Sequence, residues 1–500
     1  VSGAVYLLDL RWAGMHWRRC TGAEAQTLTR PDGSVDEYAP GLEEPGVEEV
    51  VDLLQQVPDG VTAALDVDLG TDSTGVGWPV HLARGGHLPY RARGSLYLVV
   101  DGAPPRALVI DGEVDALAYA APDRGPGWVA LRLVGRPALD GTASLRAADV
   151  GIVQPDALTP PASDYTYEAT GLRMPIIWGL PGSETRPGWT ARPAEVILGL
   201  DVQRLLVAVA GYSGTVRVWD GSGAYDDLPA EQWTDAAADT WTTVDTSGSA
   251  ALDLQSTSWS CTLLAGSSTE PHRYQGGQIS TLGAAVTWCL RRCGVVPAPI
   301  GAPAWAGLPV AWVVEEPDSA EALLRDVLLP SWPLSMVTEG GQVRLVELVP
   351  SRWPARVTQH LSVLAGHLEP RGPVQLVRRS EELATALDVE WGLDVDGQPI
   401  GSLSVELPGG ALLLGHEHRQ ARSFPALTSA AAAHAAAQAW GEVGYRPWWA
   451  REYLVLPGTR SPRAGDVVHL DDPALPSGVA LVSIVRLSMQ GDSVTLLLPG

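Results

Sequence analysis

The chain has 500 residues, of which 45% are hydrophobic and 18% charged, and it carries a formal net charge of −24. That length allows roughly three or four domains, and so acidic a surface repels phosphate backbones, which argues against stable nucleic-acid binding. All positive side-chain charge is arginine and histidine: with no lysine in the sequence, a Gly-Lys-Ser/Thr phosphate loop and Schiff-base chemistry are both excluded.

Asparagine is also absent, phenylalanine occurs once, at Phe424, and tryptophan 19 times, a skew expected of a GC-rich genome rather than of a mechanism. Charge content below the usual level, together with 54 Gly and 40 Pro, favours a mainly β architecture with many turns. No apolar run is long enough to span a bilayer. The Ala-rich stretch 429–439 is short and carries His434, and the first residues lack a basic-then-apolar signal pattern, so a soluble chain without a membrane anchor is expected. Cys20, Cys261, Cys289 and Cys293 are too few for a disulfide framework in a chain of this length.

In chain order, residues 1–165 read as short strands separated by turns: a strand at 95–100, a turn at Asp101–Gly102, a strand at 106–110, a turn at Asp111–Gly112, then strands at 113–119 and 128–134. A small antiparallel β-barrel accounts for this succession. Residues 154–164, with Pro155, Pro160 and Pro161, read as its exit linker. Residues 171–275 form a second, irregular β unit, with strands at 205–210 and 215–219 and exposed loops expected over 220–250. Within it, Trp233 and Trp241 require a surface to bury against.

Residues 276–350 read as a small α/β unit. Leu282, Val286, Cys289 and Cys293 share one side of a helix over 281–293. Ala320, Leu323, Leu324, Val327 and Leu328 recur at i, i+3, i+4, i+7, i+8 over 319–329, with Asp318 as the N-cap, and a hairpin turns at 339–342. Residues 351–500 contain strands around 374–390, an Ala-rich helix over 429–441, and a closing strand set at 453–456, 463–470, 479–487 and 494–498. The last set matches 95–134 in order and spacing, so a second barrel of the same kind is expected. The fold class is therefore mainly β with α+β insertions, multidomain, with two antiparallel β-barrels plus inserted β and α/β domains.

Motifs that could carry chemistry are sparse. Gly211–Thr215 lacks the G-x-S-x-G pattern and reads as a β-turn. His416, Glu417 and His418 are dense in ligand atoms, but alternation on a strand leaves only the two histidines on one side. Asp66, Asp68 and Asp72 miss the calcium-loop spacing. Cys289 and Cys293 at i, i+4, with Cys261 and Cys20, would total four soft ligands for zinc or an iron–sulfur cluster, although their apolar neighbours point to buried free thiols. Trp219–Asp220 matches the propeller dipeptide without its repeat. Trp448 and Trp449, beside Tyr445 and Arg446, suit either an interface anchor or core packing. No catalytic residue, metal ligand or cofactor site is expected.

The order of features resembles the tail hub, or baseplate hub, proteins of tailed bacteriophages and gene transfer agents. Arg463-Ala-Gly-Asp-Val-Val-His-Leu470 with the hairpin beyond Gly478 is similar to the family's closing strand and return. Met174-Pro-Ile-Ile-Trp-Gly-Leu-Pro-Gly182 looks like the lead-in to its inserted domain. Residues 317–330 followed by 335–346 look like its recurrent helix and hairpin. The resemblance implies a non-enzymatic homotrimer whose two tail-tube-like barrels per subunit, 1–165 and 351–500, make a pseudo-sixfold ring at the tail tip of a virion assembled in a GC-rich host. The implied partners are tail tube, distal tail, tape measure and tail fibre proteins, with DNA passing through the channel without specific binding. No lysozyme-like or peptidase-like domain is expected within these 500 residues, and no fibre domain is identified in them. The alternatives are a carbohydrate- or receptor-binding module using Trp233 and Trp241, and a carboxylate-based glycosidase, for which 58 acidic residues offer no chosen pair.

Overall fold

The fold comes from a computed structural model that describes residues 5–29, 34–51, 61–87, 92–99, 107–119, 124–135, 165–166, 176–188, 192–197, 203–209, 212–234, 240–256, 258–268, 279–293, 295, 297–298, 303–314, 320–339, 342–376, 383–407, 417–444, 447–476, 478–487 and 492–500. The linker 154–164, the Asp318 cap and the turn residues Asp101, Gly102, Gly340 and Gly341 lie outside them.

The chain is mainly β, with a few short helices. Its largest element is a 15-stranded sheet built from both ends of the sequence. Strict alternation places the N-terminal strands: in Val61–Asp68, Val61, Ala63, Leu65 and Val67 are buried while the residues between them are half-buried or exposed. Val5–Trp12 departs from alternation because both of its faces are covered. Tyr6, Leu8 and Leu10 enter the core shared with Val61–Asp68, whereas Leu7 packs on the other side with Cys20, Leu28 and Tyr38. Each such buried aliphatic or aromatic side chain contributes about 1.5–3 kcal/mol.

The two expected barrels are not separate. Strand Gly46–Val50 pairs antiparallel with Gly478–Leu487 on one side and with Val61–Asp68 on the other, so a single sheet runs through both lobes. Leu487 packs against both hydrophobic cores, and the Val51 N–H donates to the Ser483 carbonyl at 2.7 Å. Nor does either lobe close among the described residues: the sheet is open, its main run ending at Gln26–Thr29 and Leu368–Leu376 and a side branch ending at Val357–Ser362. It is not wholly antiparallel either. Met15–Cys20 runs parallel to Val35–Pro40, and Val357–Ser362 parallel to Val467–Asp471.

Three local expectations change. The turn expected at Asp111–Gly112 is the middle of a continuous strand, Ala107–Tyr119. Gly112 serves close approach there, since a Cβ on it would stand 2.2 Å from the Val134 carbonyl oxygen. The exposed loops expected over 220–250 contain strands Tyr225–Pro229, Glu231–Thr234 and Thr240–Asp245, the last two forming a hairpin with Trp233 opposite Trp241. The helix expected over 319–329 is α only at Ala320–Ala322 and then widens to π over Leu323–Leu328. That widening buries Leu329 in place of Val327, which is half-buried.

Two of the remaining helices follow the sequence, whereas the short helix Trp78–Arg84 falls in the span read as strands and turns. Leu282–Arg292 buries Leu282, Val286 and Cys289, with Thr281 as its N-cap residue. Ala430–Gly444 buries Ala433, Ala436, Ala437 and Trp440, and Ser429 Oγ accepts from the Ala432 N–H at 3.2 Å. No helix among the described residues is long and apolar enough to cross a membrane.

Candidate functional site

The acidic and sulfur-bearing candidates are dispersed. Asp66 ion-pairs with Arg124 at 3.0 Å, Asp68 accepts the Gly70 N–H at 2.8 Å, and Asp72 accepts from Thr74 Oγ1 at 2.7 Å and from the Val76 N–H at 3.0 Å. Those hydrogen bonds, the Thr74 hydroxyl foremost, hold the Asp72 carboxyl below its ordinary range. Asp68 and Asp72 thus organise local turns and Asp66 pairs with a distant arginine, rather than the three sharing a cation site. The four cysteines are buried in three different cores: Cys20 with Leu7 and Tyr38, Cys261 with Tyr212 and Val218, and Cys289 with Cys293 beside Trp305. A four-thiol centre is therefore not assembled.

Gly211 and His416 fall outside the described residues, as do Tyr445 and Arg446. Tyr212–Thr215 is strand rather than turn, part of Tyr212–Trp219. His418 turns inward, its Nδ1 lying 2.6 Å from the Leu383 carbonyl oxygen. Asp220, the acid of the Trp-Asp pair, is buried. It accepts from the Asp253 N–H at 2.8 Å and from Ser222 Oγ at 2.7 Å, and these bonds depress its pKa. It ties Asp253 to the turn after Trp219. Trp448 is core: its indole N–H donates to the Val443 carbonyl at 2.9 Å, and its ring centre lies 5.6 Å from that of Trp353. Trp449 is half-buried beside it. The Trp233 and Trp241 side chains are outside what is described.

Two features had no local signal in the sequence. One is a cleft of about 250 Å³ lined by Gly182, Trp312, Asp394, Val395, Ile400 and Leu427, beside which Arg186 donates to the Pro399 carbonyl at 2.6 Å. Its lining carboxylate is committed to the fold, because Asp394 Oδ1 accepts the Asp396 and Gln398 N–H groups at 3.0 and 2.9 Å. The other is a pair of imidazoles, His360 and His469, whose ring centres are 4.9 Å apart. Among the described residues no group of three or more His, Cys, Asp or Glu side chains is poised to hold a metal.

The seam between the lobes carries a set of ion pairs. Glu49, 6% exposed, accepts from the Arg463 guanidinium, and one strand face over, Arg486 bridges Glu48 at 3.2 Å and Glu452 at 3.5 Å.

Against known proteins, no family model and no curated protein matches the sequence. Among solved structures the chain is similar to tail proteins. The 43 kDa tail protein of prophage MuSo2 from Shewanella oneidensis is 10% identical, with a TM-score of 0.39 over 98% of this chain and 97% of that one. A tail protein from Neisseria meningitidis is 10% identical, with a TM-score of 0.41 over 99% and 96%. A chain of a native gene transfer agent particle is 14% identical, with a TM-score of 0.43 over 66% and 85%.

Proposed function

We propose that this chain is a structural, non-enzymatic component of a phage-type tail tip: a homotrimeric hub that joins the tail tube to distal threefold structures and lines the DNA channel. The observation that carries the reading is the shared sheet. Two β lobes held side by side in one subunit by the pairing of Gly46–Val50 with Gly478–Leu487 give three subunits six lobes, the stoichiometry needed to match a sixfold tube to a threefold tip. The ordered motifs at 174–182, 317–346 and 463–487 support the same reading, and so does the charge of −24, which would let DNA slide past without condensing on the wall. On this reading 1–165 and 351–500 are the ring-forming units, and 171–275 and 276–350 are insertions facing tape measure, distal tail or fibre proteins.

The test is the assembly state of the full chain at high concentration, by mass photometry and negative-stain imaging. The expected outcome is a ring with a threefold axis. A strictly monomeric chain overturns the proposal.

A further inference from the structure

His360 and His469 lie far apart in sequence but meet because Val357–Ser362 and Val467–Asp471 run parallel with these two residues in register. Residues directly opposite on adjacent strands project to the same face of the sheet. His360 is exposed and His469 half-buried, so the pair is open to solvent. Neither imidazole has a hydrogen bond to another described residue, whereas His16, His81, His367 and His418 each have a ring nitrogen engaged by a neighbour. One step further along the ladder, Asp471 is occupied by Ser362 Oγ at 3.0 Å.

The spacing of the rings is that of adjacent strands, and it also suits two imidazoles on one ion. With metal–nitrogen bonds of about 2.0–2.1 Å and ring centres about 1.1 Å beyond the nitrogen, two imidazoles on one metal hold their centroids about 4.5 Å apart at a right angle and about 5.2 Å apart at a tetrahedral one. The observed 4.9 Å, with a 33° tilt between the rings, falls between these limits. A chain with a net charge of −24 also concentrates cations at its surface.

We propose that His360 and His469 form a surface site for a borderline transition-metal dication such as Zn²⁺ or Ni²⁺, with two ligands from the protein and the remaining positions filled by water. Binding would clamp Val357–Ser362, whose strand partner among the described residues is Val467–Asp471, onto the C-terminal lobe. The proposal is independent of the tail-tip reading and survives its failure.

The test is calorimetric titration of the full chain with ZnCl₂ and, separately, NiCl₂, comparing wild type with His360→Ala, His360→Gln, His469→Gln and, as a control, the exposed His434→Ala. Wild type and His434→Ala are expected to bind one ion per chain in the micromolar range, and each variant of the pair at least about tenfold more weakly. The melting temperature should rise with metal in the wild type and stay fixed in the pair variants. Should His360→Ala fold poorly, the two Gln variants carry the comparison, since they keep most of the side-chain volume at a partly exposed position. No binding by wild type below about 1 mM, or binding undiminished in the pair variants, overturns the assignment.

Discussion

Asp472, 3% exposed, sits at the centre of a buried polar contact set at the end of the Val467–Asp471 strand. Its Oδ2 accepts from the Tyr453 hydroxyl at 2.6 Å and the Arg451 guanidinium at 2.8 Å, and its Oδ1 accepts the Ala474 N–H at 2.8 Å. Burial opposes its ionisation, but those three donors outweigh burial and hold the carboxyl below the ordinary range. Because the folded pKa is depressed, the stabilisation is present above the unfolded value of about 3.9 and is lost as pH falls through the folded one. Asp472→Ala strands the Arg451 charge and the Tyr453 hydroxyl, and is expected to cost about 3–5 kcal/mol at pH 7 in urea unfolding. A cost below about 1 kcal/mol, or an acid limb as steep in Asp472→Asn as in wild type, would contradict this account. Nothing local marked Asp472 in the sequence: it follows Asp471 in a turn, and its partners Arg451 and Tyr453 lie on another strand. The four thiols were easier to read, since apolar neighbours such as Leu282 and Val286 already implied burial.

Elements were legible wherever one period ruled. Thr281 to Arg292, Ala430 onward, and the strands ending at Pro499 appear close to where alternation or the helical stripe puts them. They were misread where a local cue had a second physical meaning. Asp111–Gly112 carries a turn signature, yet Gly112 is glycine because strand Trp128–Gly135 crosses too closely for a side chain. Gly112→Ala is therefore expected to destabilise by about 1–3 kcal/mol or more through overpacking, measured by chemical denaturation. A cost within about 0.5 kcal/mol would contradict the close approach. The π segment Leu323–Leu328 was hidden for a related reason. Its sequence satisfies an α stripe, and only packing that recruits Leu329 reveals the wider turn.

At the level of the whole molecule, composition and turn density gave the β class, while the joining of the two lobes could not be read, because strand partners across so long a chain leave no periodicity. Glu49 is the acid at that junction, and Glu49→Ala removes the acceptor of the Arg463 guanidinium and of the Ala464 N–H, which is 3.4 Å from its Oε2. The expected cost is about 1.5–3 kcal/mol, that of hydrogen bonds to a charged group. Because the shared sheet couples the lobes, the single calorimetric endotherm expected of wild type should split in two in the variant; one intact endotherm would mean the lobes are coupled elsewhere. The same pairing sets the order in which the molecule can fold. Strand Gly46–Val50 leaves the ribosome early, but the strand that covers its free edge is Gly478–Leu487. Until synthesis reaches that point the N-terminal lobe waits with an unpaired strand edge, the kind of surface that recruits other nascent chains. Completion of the sheet waits on closure of a very long loop, and the edge left open until then should make this chain depend on chaperones during synthesis.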